Sequence, residues 1–185
     1  MPVVISLLRA VNLGSHNKVK MDALRALYES LGMRRVQTYI QSGNVVCNSR
    51  VKDLDRLRKQ IETGIEQTFG FRTGVVLRST SEMRDVIARN PFAKRSGIEP
   101  NRLLVDFLAG EPAADVRKKI LQIKTAGEEL RLDGRELYIY FPNGMGRSKL
   151  WPGLVERTLQ TSGTGRNWNT VMKLLEIAEK LEASC

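Results

Sequence analysis

The chain has 185 residues, with 30 Lys and Arg against 20 Asp and Glu, a formal charge of +10 and 42% apolar residues. A chain of this length buries about 70% of its unfolded surface in one large domain or two small lobes, which excludes a disulfide-stapled miniprotein. The longest apolar run, Val3 to Leu8, falls far short of the ~20 residues that span a bilayer, and Met1-Pro2 leads into a strand-like segment rather than a secretory leader, so a cytoplasmic protein without membrane association is expected.

Residues Val3 to Val11 are almost continuously apolar, as in a strand buried on both faces, and Met21, Leu24, Leu27, Tyr28 and Leu31 then recur at helical spacing up to Gly32. Val36 to Gln41 and Val45 to Cys47 flank Ser42-Gly43-Asn44, which predicts a hairpin. Leu54, Leu57, Ile61 and Ile65 form a second helical stripe, and Phe71 to Leu77 a further strand. The order over the first 78 residues is βαββαβ.

Ser79 and Glu82 stand at capping-box spacing before a short helix that Pro91 ends, and Asn90 to Pro100 follows as a loop. Leu103 to Leu108 is read as a strand, Asp115 to Ile123 as a helix, and Glu129 to Leu132 pairs with Glu136 to Phe141 across the turn signal Asp133-Gly134. Helices over Ser148 to Leu159 and Asn167 to Leu181 complete the chain. The expected fold class is α/β (α+β), with two ferredoxin-like βαββ-type repeats packed together with C-terminal helices. The first βαββαβ lobe is placed at 1–80 and a second, αβαββαα, at 81–185.

Charge is concentrated. Residues 1–50 carry 7 basic and 2 acidic side chains and residues 143–173 carry 5 and 1, whereas 51–142 carry 17 and 14. Three helix starts hold acids, as the helix dipole favours, at Asp53 and Asp55, Glu82 and Asp85, and Glu111 and Asp115, but cations stand at three others: Lys18 and Lys20 before the first helix, Arg147 and Lys149 after Gly146, and Arg166 before Asn167. Cations beside free helix N–H groups suit a bound phosphate or carboxylate; solvated basic side chains are the plainer explanation.

Three motifs hold the candidate binding residues. In Pro142-Asn143-Gly144-Met145-Gly146-Arg147-Ser148-Lys149-Leu150, two glycines permit close backbone approach and Arg147, Ser148 and Lys149 supply donors for an oxyanion. It matches neither a Walker A loop nor a dinucleotide fingerprint. Thr164-Gly165-Arg166-Asn167-Trp168-Asn169-Thr170 gathers Arg166, Asn167 and Asn169 in what reads as one turn, with Trp168 more readily a core residue than a stacking platform. At the N-terminus Arg9, Asn12 and Lys18 are expected at the same sheet end as the hairpin tip with Ser42 and Asn44.

Catalytic candidates are thin. His16 is the single histidine, which removes multi-histidine zinc sites, and Cys47 looks like a buried strand residue rather than its nucleophilic partner. Ser148 and Lys149 are adjacent and diverge by about 100° on a helix, so a dyad is disfavoured. No cofactor or metal is expected. The two cysteines, Cys47 and Cys185, fit a reducing compartment.

With these motifs in view, the chain resembles the bacterial domain-of-unknown-function family 1697. The matching segments are Leu7 to Asn12, Asn17 to Met21, Thr38 to Val45, Asn90 to Phe92, Pro142 to Leu150 and Arg166 to Val171. The resemblance implies an α/β fold of two related repeats that exchange helices, and it supplies no function. Ala10 and Ser15 stand where the family usually carries glycine, and Lys20 where it usually carries proline.

Three functions fit the sequence. The leading one is a binding protein for a phosphate-bearing or other anionic ligand, nucleic acid or nucleotide, with Arg147 and Lys149 on the phosphate, the amides of Gly146 to Ser148 around it and Arg166, Asn167 and Asn169 orienting the rest. The others are a small metal-independent enzyme acting on a phosphorylated or carboxylate metabolite, and a protein interaction module without a pocket.

Overall fold

The computed structural model describes residues 1–148, Leu150 and 153–184. The chain is a mixed α+β protein that divides into two units, one of residues 1–85 with those from Lys173 onward, the other of residues 86–172.

In the first unit, β1 (Val3–Leu8), α1 (Met21–Ser30), β2 (Arg34–Tyr39), β3 (Asn44–Asn48), α2 (Leu54–Phe69) and β4 (Val75–Ser79) form an antiparallel sheet in the order β2-β3-β1-β4. Val4, Leu8, Val45, Cys47, Val75 and Leu77 share the buried cluster with Leu24, Leu27 and Tyr28 of α1 and Leu57, Ile61 and Ile65 of α2. Each of these large side chains contributes about 1.5–3 kcal/mol by leaving water. The polar residue of this layer, Ser6, is satisfied by the Tyr28 hydroxyl at 2.7 Å. Burial pushes the Tyr28 hydroxyl well above its ordinary pKa and the Cys47 thiol up to about 12, so neither is poised to ionise.

Local chemistry sets the boundaries. Asp53 caps α2 by accepting from the amides of Asp55 and Arg56, and Gly70 closes it in the left-handed region. β1 ends at Leu8 and not at the expected Val11, because Ala10 and Asn12 take left-handed conformations. Similarly β4 begins at Val75 rather than Phe71: the Thr73 hydroxyl donates to the Arg9 carbonyl and holds that stretch as a loop.

The second unit repeats the first. β5 (Leu103–Leu108), α4 (Ala114–Leu121), β6 (Glu129–Asp133), β7 (Glu136–Tyr140), α5 (Gly153–Leu159) and β8 (Gly163–Asn167) give a sheet in the order β6-β7-β5-β8, also antiparallel. Its helix-facing core joins Leu104, Leu108, Leu137, Ile139 and Phe141 to Val116, Ile120, Val155 and Leu159. β8 was unexpected, since a Gly-Thr-Gly-Arg-Asn segment lacks the apolar alternation of a strand. It pairs regularly with β5 all the same.

The duplication extends to register. Ile5, third in β1, faces Arg78 of β4, and Val105, third in β5, faces Arg166 of β8. Leu8 N–H donates to Gly43 and Arg9 N–H to Gly74; Leu108 and Ala109 donate likewise to Arg135 and Ser162.

α3 (Thr80–Ala88) and α6 (Trp168–Ala183) follow the last strand of each sheet. The Ser79–Glu82 capping box forms as expected, with Ser79 N–H to Glu82 at 2.8 Å and Glu82 N–H to Ser79 Oγ at 3.1 Å. Residues of α6 from Lys173 onward group with the first unit, where chain order alone assigns them to the second lobe. Arg84 holds Glu179 at 2.9 Å and Glu182 at 2.8 Å, and Arg35 donates to the Leu181 carbonyl at 3.0 Å. Among the described residues, no helix is long and apolar enough to cross a membrane.

Candidate functional site

The sequence-derived candidates divide between the units. Arg9, Asn12, Lys18, Ser42 and Asn44 belong to the first, and Asn143 to Ser148 and Arg166 to Asn169 to the second.

In the first unit the expected neighbours meet, and most of their polar groups are engaged with the chain itself. Asn12 Nδ2 donates to the Val19 carbonyl at 2.9 Å and to the Gln41 carbonyl at 2.8 Å, while its Oδ1 accepts from Val19 N–H at 2.9 Å. One amide thus ties both ends of the β1–α1 loop and fastens it to the hairpin tip. Asn44 is buried and donates to the Tyr39 carbonyl and Ser42 Oγ, each at 2.9 Å. Gly43, at φ +73°, lies so close under β1 that a Cβ would meet Val11 at 2.5 Å and Leu8 at 2.8 Å, which makes the turn specific to glycine. Lys18 stays exposed.

In the second unit the structure separates the C-terminal motif from the glycine-rich loop. Arg166 is 6% exposed inside β8, with Nη1 donating to Thr164 Oγ1 at 2.7 Å and the Gly165 carbonyl at 2.9 Å. Burial pushes its guanidinium down to about 10, against the upward pull of the Asp106 carboxylate. It is therefore no exposed helix-start cation: its place is the interior of the strand. Arg78, its register equivalent in β4, is 1% exposed and donates to the carbonyl of the preceding residue in the same way. Asn167 caps α6 by accepting from Asn169 N–H at 3.0 Å, and its Nδ2 donates to the Asn101 carbonyl at 2.9 Å. Asn169 is exposed.

The loop after β7 does form a cleft, but not on a helix N-terminus. Met145–Arg147 is one 3₁₀ turn entered from Gly144 at φ +82°, Ser148 is extended, and α5 begins only at Gly153. The turn engages two of the three expected phosphate-cradling amides, Arg147 N–H donating to Gly144 and Ser148 N–H to Met145. A cleft of about 310 Å³ opens beside it, lined by Ala126, Glu128, Pro142, Asn143, Arg147 and Ser148 among others. Arg147 and Asn143 are exposed, and Arg147 makes no ion pair among the described residues. Lys149 lies outside the described residues.

Glu128 is the residue that sequence reasoning missed. The Ser148 hydroxyl donates to its Oε1 at 2.5 Å and Ala126 N–H to its Oε2 at 2.8 Å, and the Ser148 bond holds its carboxyl below the ordinary range. Ser148 Oγ also accepts from Leu150 N–H at 3.1 Å, so this hydroxyl shapes the wall of the cleft. No sequence signal marked Glu128, which meets Ser148 from twenty residues away.

A wider groove of about 450 Å³ runs along α2 between Lys59, Glu62, Glu66, Arg72 and Thr73. Three of its four charged side chains are engaged: Arg72 pairs with Glu66 at 2.7 Å, and Glu62 takes Arg58 and the Val75 amide. Among the described residues, no group of three His, Cys, Asp or Glu side chains could hold a metal ion.

Comparison with known proteins adds the following. The family model described as a protein of unknown function, DUF1697, matches residues 1–138, a range that ends before the cleft loop and β8. Among solved structures, the conserved bacterial protein SP0830 from Streptococcus pneumoniae superposes with a TM-score of 0.78 at 21% identity, covering 96% of this chain and 98% of that chain. At that identity the likeness shows the fold. No curated protein matches the chain.

Proposed function

The chain belongs to the family of unknown function DUF1697, and since that membership names no chemistry, we propose from the geometry itself that the protein binds a small phosphate-bearing ligand in the cleft between Glu128 and Arg147. The single observation behind this reading is a concavity of about 310 Å³ that presents an exposed guanidinium carrying no ion pair among the described residues. That volume lies at the lower end of the ~300–1,000 Å³ typical of ligand pockets, which suits a mononucleotide better than a polymer.

Arg147 supplies planar, charge-assisted donors for a phosphate, and Asn143 adds an amide. Glu128, ionised in the same cleft, repels an anion placed near it and accepts from a donor. A guanidinium and a carboxylate together select a ligand with an anionic end and a hydrogen-bond-donating end, as a nucleotide has. An acid–base role is less supported, because Glu128 is held ionised by two internal donors rather than raised toward neutrality.

Calorimetric titration with adenosine monophosphate, with inorganic phosphate as control, tests the reading. Wild type should bind the nucleotide more tightly than phosphate, and Arg147→Ala should weaken nucleotide binding at least about 10-fold while the fold persists. No binding at millimolar nucleotide, or equal binding by Arg147→Ala, would overturn it. A labelled single-stranded RNA bound tightly at 50 mM salt and released at 200 mM would replace it with a polymer-binding reading.

A further inference from the structure

We propose that the β1–α1 loop and the β2–β3 turn of the first unit form a docking surface for an acidic segment of a protein partner that carries an apolar anchor residue. The surface starts from two aliphatic side chains left in water, Leu13 at 65% and Ile40 at 49% exposure. They lie on different loops, each next to a residue of the Asn12–Gln41 hydrogen bond at 2.8 Å, so one tie brings both loops to the same end of the sheet.

These loops are also where the backbone is most constrained. Of the six non-glycine residues at positive φ among the described residues, Ala10, Asn12, Asn17 and Ile40 are here. A β-branched residue at φ +48° is an uncommon conformation, and such conformations persist only where the surroundings over-determine them. The surroundings do so: Asn12 N–H donates to Asn17, Asn17 Nδ2 to Ala10, and Asn12 clamps Val19. A loop held this firmly, with leucine outward, is preorganised and loses little entropy when a partner covers it.

Charge names the partner's sign. Lys18 and Lys20 are exposed on the same loop, no acidic residue occurs between Arg9 and Lys20, and residues 39–44 are uncharged. Aliphatic anchors within a cationic rim complement an acidic segment bearing an apolar side chain. Nucleic acid is the poorer match, because bases stack best on broad exposed rings, and here Tyr39 is half-buried and the small imidazole of His16 is the one exposed ring. A bilayer is poorer too, since Leu13 and Ile40 stand on loops rather than along the face of a helix that could lie in an interface.

The test is selection of a displayed random 12-residue peptide library on the intact protein, with counter-selection on a Leu13→Ser, Ile40→Ser variant whose fold is confirmed by circular dichroism. Enriched peptides should be rich in Asp and Glu around an apolar residue, bind wild type at least about 10-fold tighter than the variant, and weaken similarly with Lys18→Glu, Lys20→Glu. Arg147→Ala should bind them as wild type does, which separates this surface from the cleft. Peptides that are neutral or basic, or none enriched over the variant, would overturn the proposal. So would vesicles of phosphatidylserine or single-stranded RNA binding in a Leu13- and Ile40-dependent manner while no peptide does.

Discussion

Asn12 shows how far a residue's type can mislead about its job. An exposed-looking polar residue in a basic loop invites a ligand role, yet its three hydrogen bonds to Val19 and Gln41 make it the fastener of that loop. Asn12→Ala should lower stability by about 2–3 kcal/mol, since three partners lose a bond each, and urea unfolding measures this directly. Ala10 makes the reverse case. At φ +49° its methyl group is unfavourable. Ala10→Gly should therefore raise stability by about 0.5–1 kcal/mol by the same measurement. The βαββ order alone places Asn12 at the same sheet end as Ser42 and Asn44, and the Asn12–Gln41 bond holds it there. That order could not foresee their hydrogen-bond partners, which are backbone groups carrying no residue signature.

At the scale of elements, helices were the most legible and β8 the least. Leu57, Ile61 and Ile65 announced α2 by spacing, and Asp53 its first turn. In β8 the small residues that hid the strand are what its site requires. A Cβ on Gly163 would fall 2.7 Å and 2.8 Å from the two carboxylate oxygens of Asp106 and 2.9 Å from Leu108. Gly163→Ala should accordingly destabilise the protein by about 1–3 kcal/mol, with amide exchange accelerated across β5 and β8. The loop before α5 is not the helix start that Gly-Arg-Ser suggests, because a 3₁₀ turn engages the Arg147 and Ser148 amides. There Ser148 sets the Glu128 carboxyl. The native carboxyl is lowered, so its contribution to stability is present above the ordinary carboxylate range and lost as pH falls through the lowered value. Ser148→Ala should move the Glu128 titration up toward its ordinary value, as followed by NMR, and remove that part of the acid dependence.

The whole molecule is one βαββαβ plan used twice, and the second copy reproduces even the buried arginine, Arg78 in β4 and Arg166 in β8. Sequence order revealed the first copy fully and the second only in part, since the halves share element order and register rather than residues. The copies then diverge where chemistry is exposed: the first offers Leu13 and Ile40 beside Lys18, the second a cleft with Glu128 and Arg147. That division assigns Asn12, Asn44, Arg166 and Asn167 to holding the fold, and the proposed ligand site rests on Asn143 and Arg147. A nitrogen–proton correlation spectrum titrated with adenosine monophosphate tests this division most directly. The account predicts shifts confined to residues 126–128 and 141–148, reached only at about 10-fold or more higher nucleotide in Arg147→Ala; shifts centred on residues 9–20 or 164–169, or none anywhere, would contradict it.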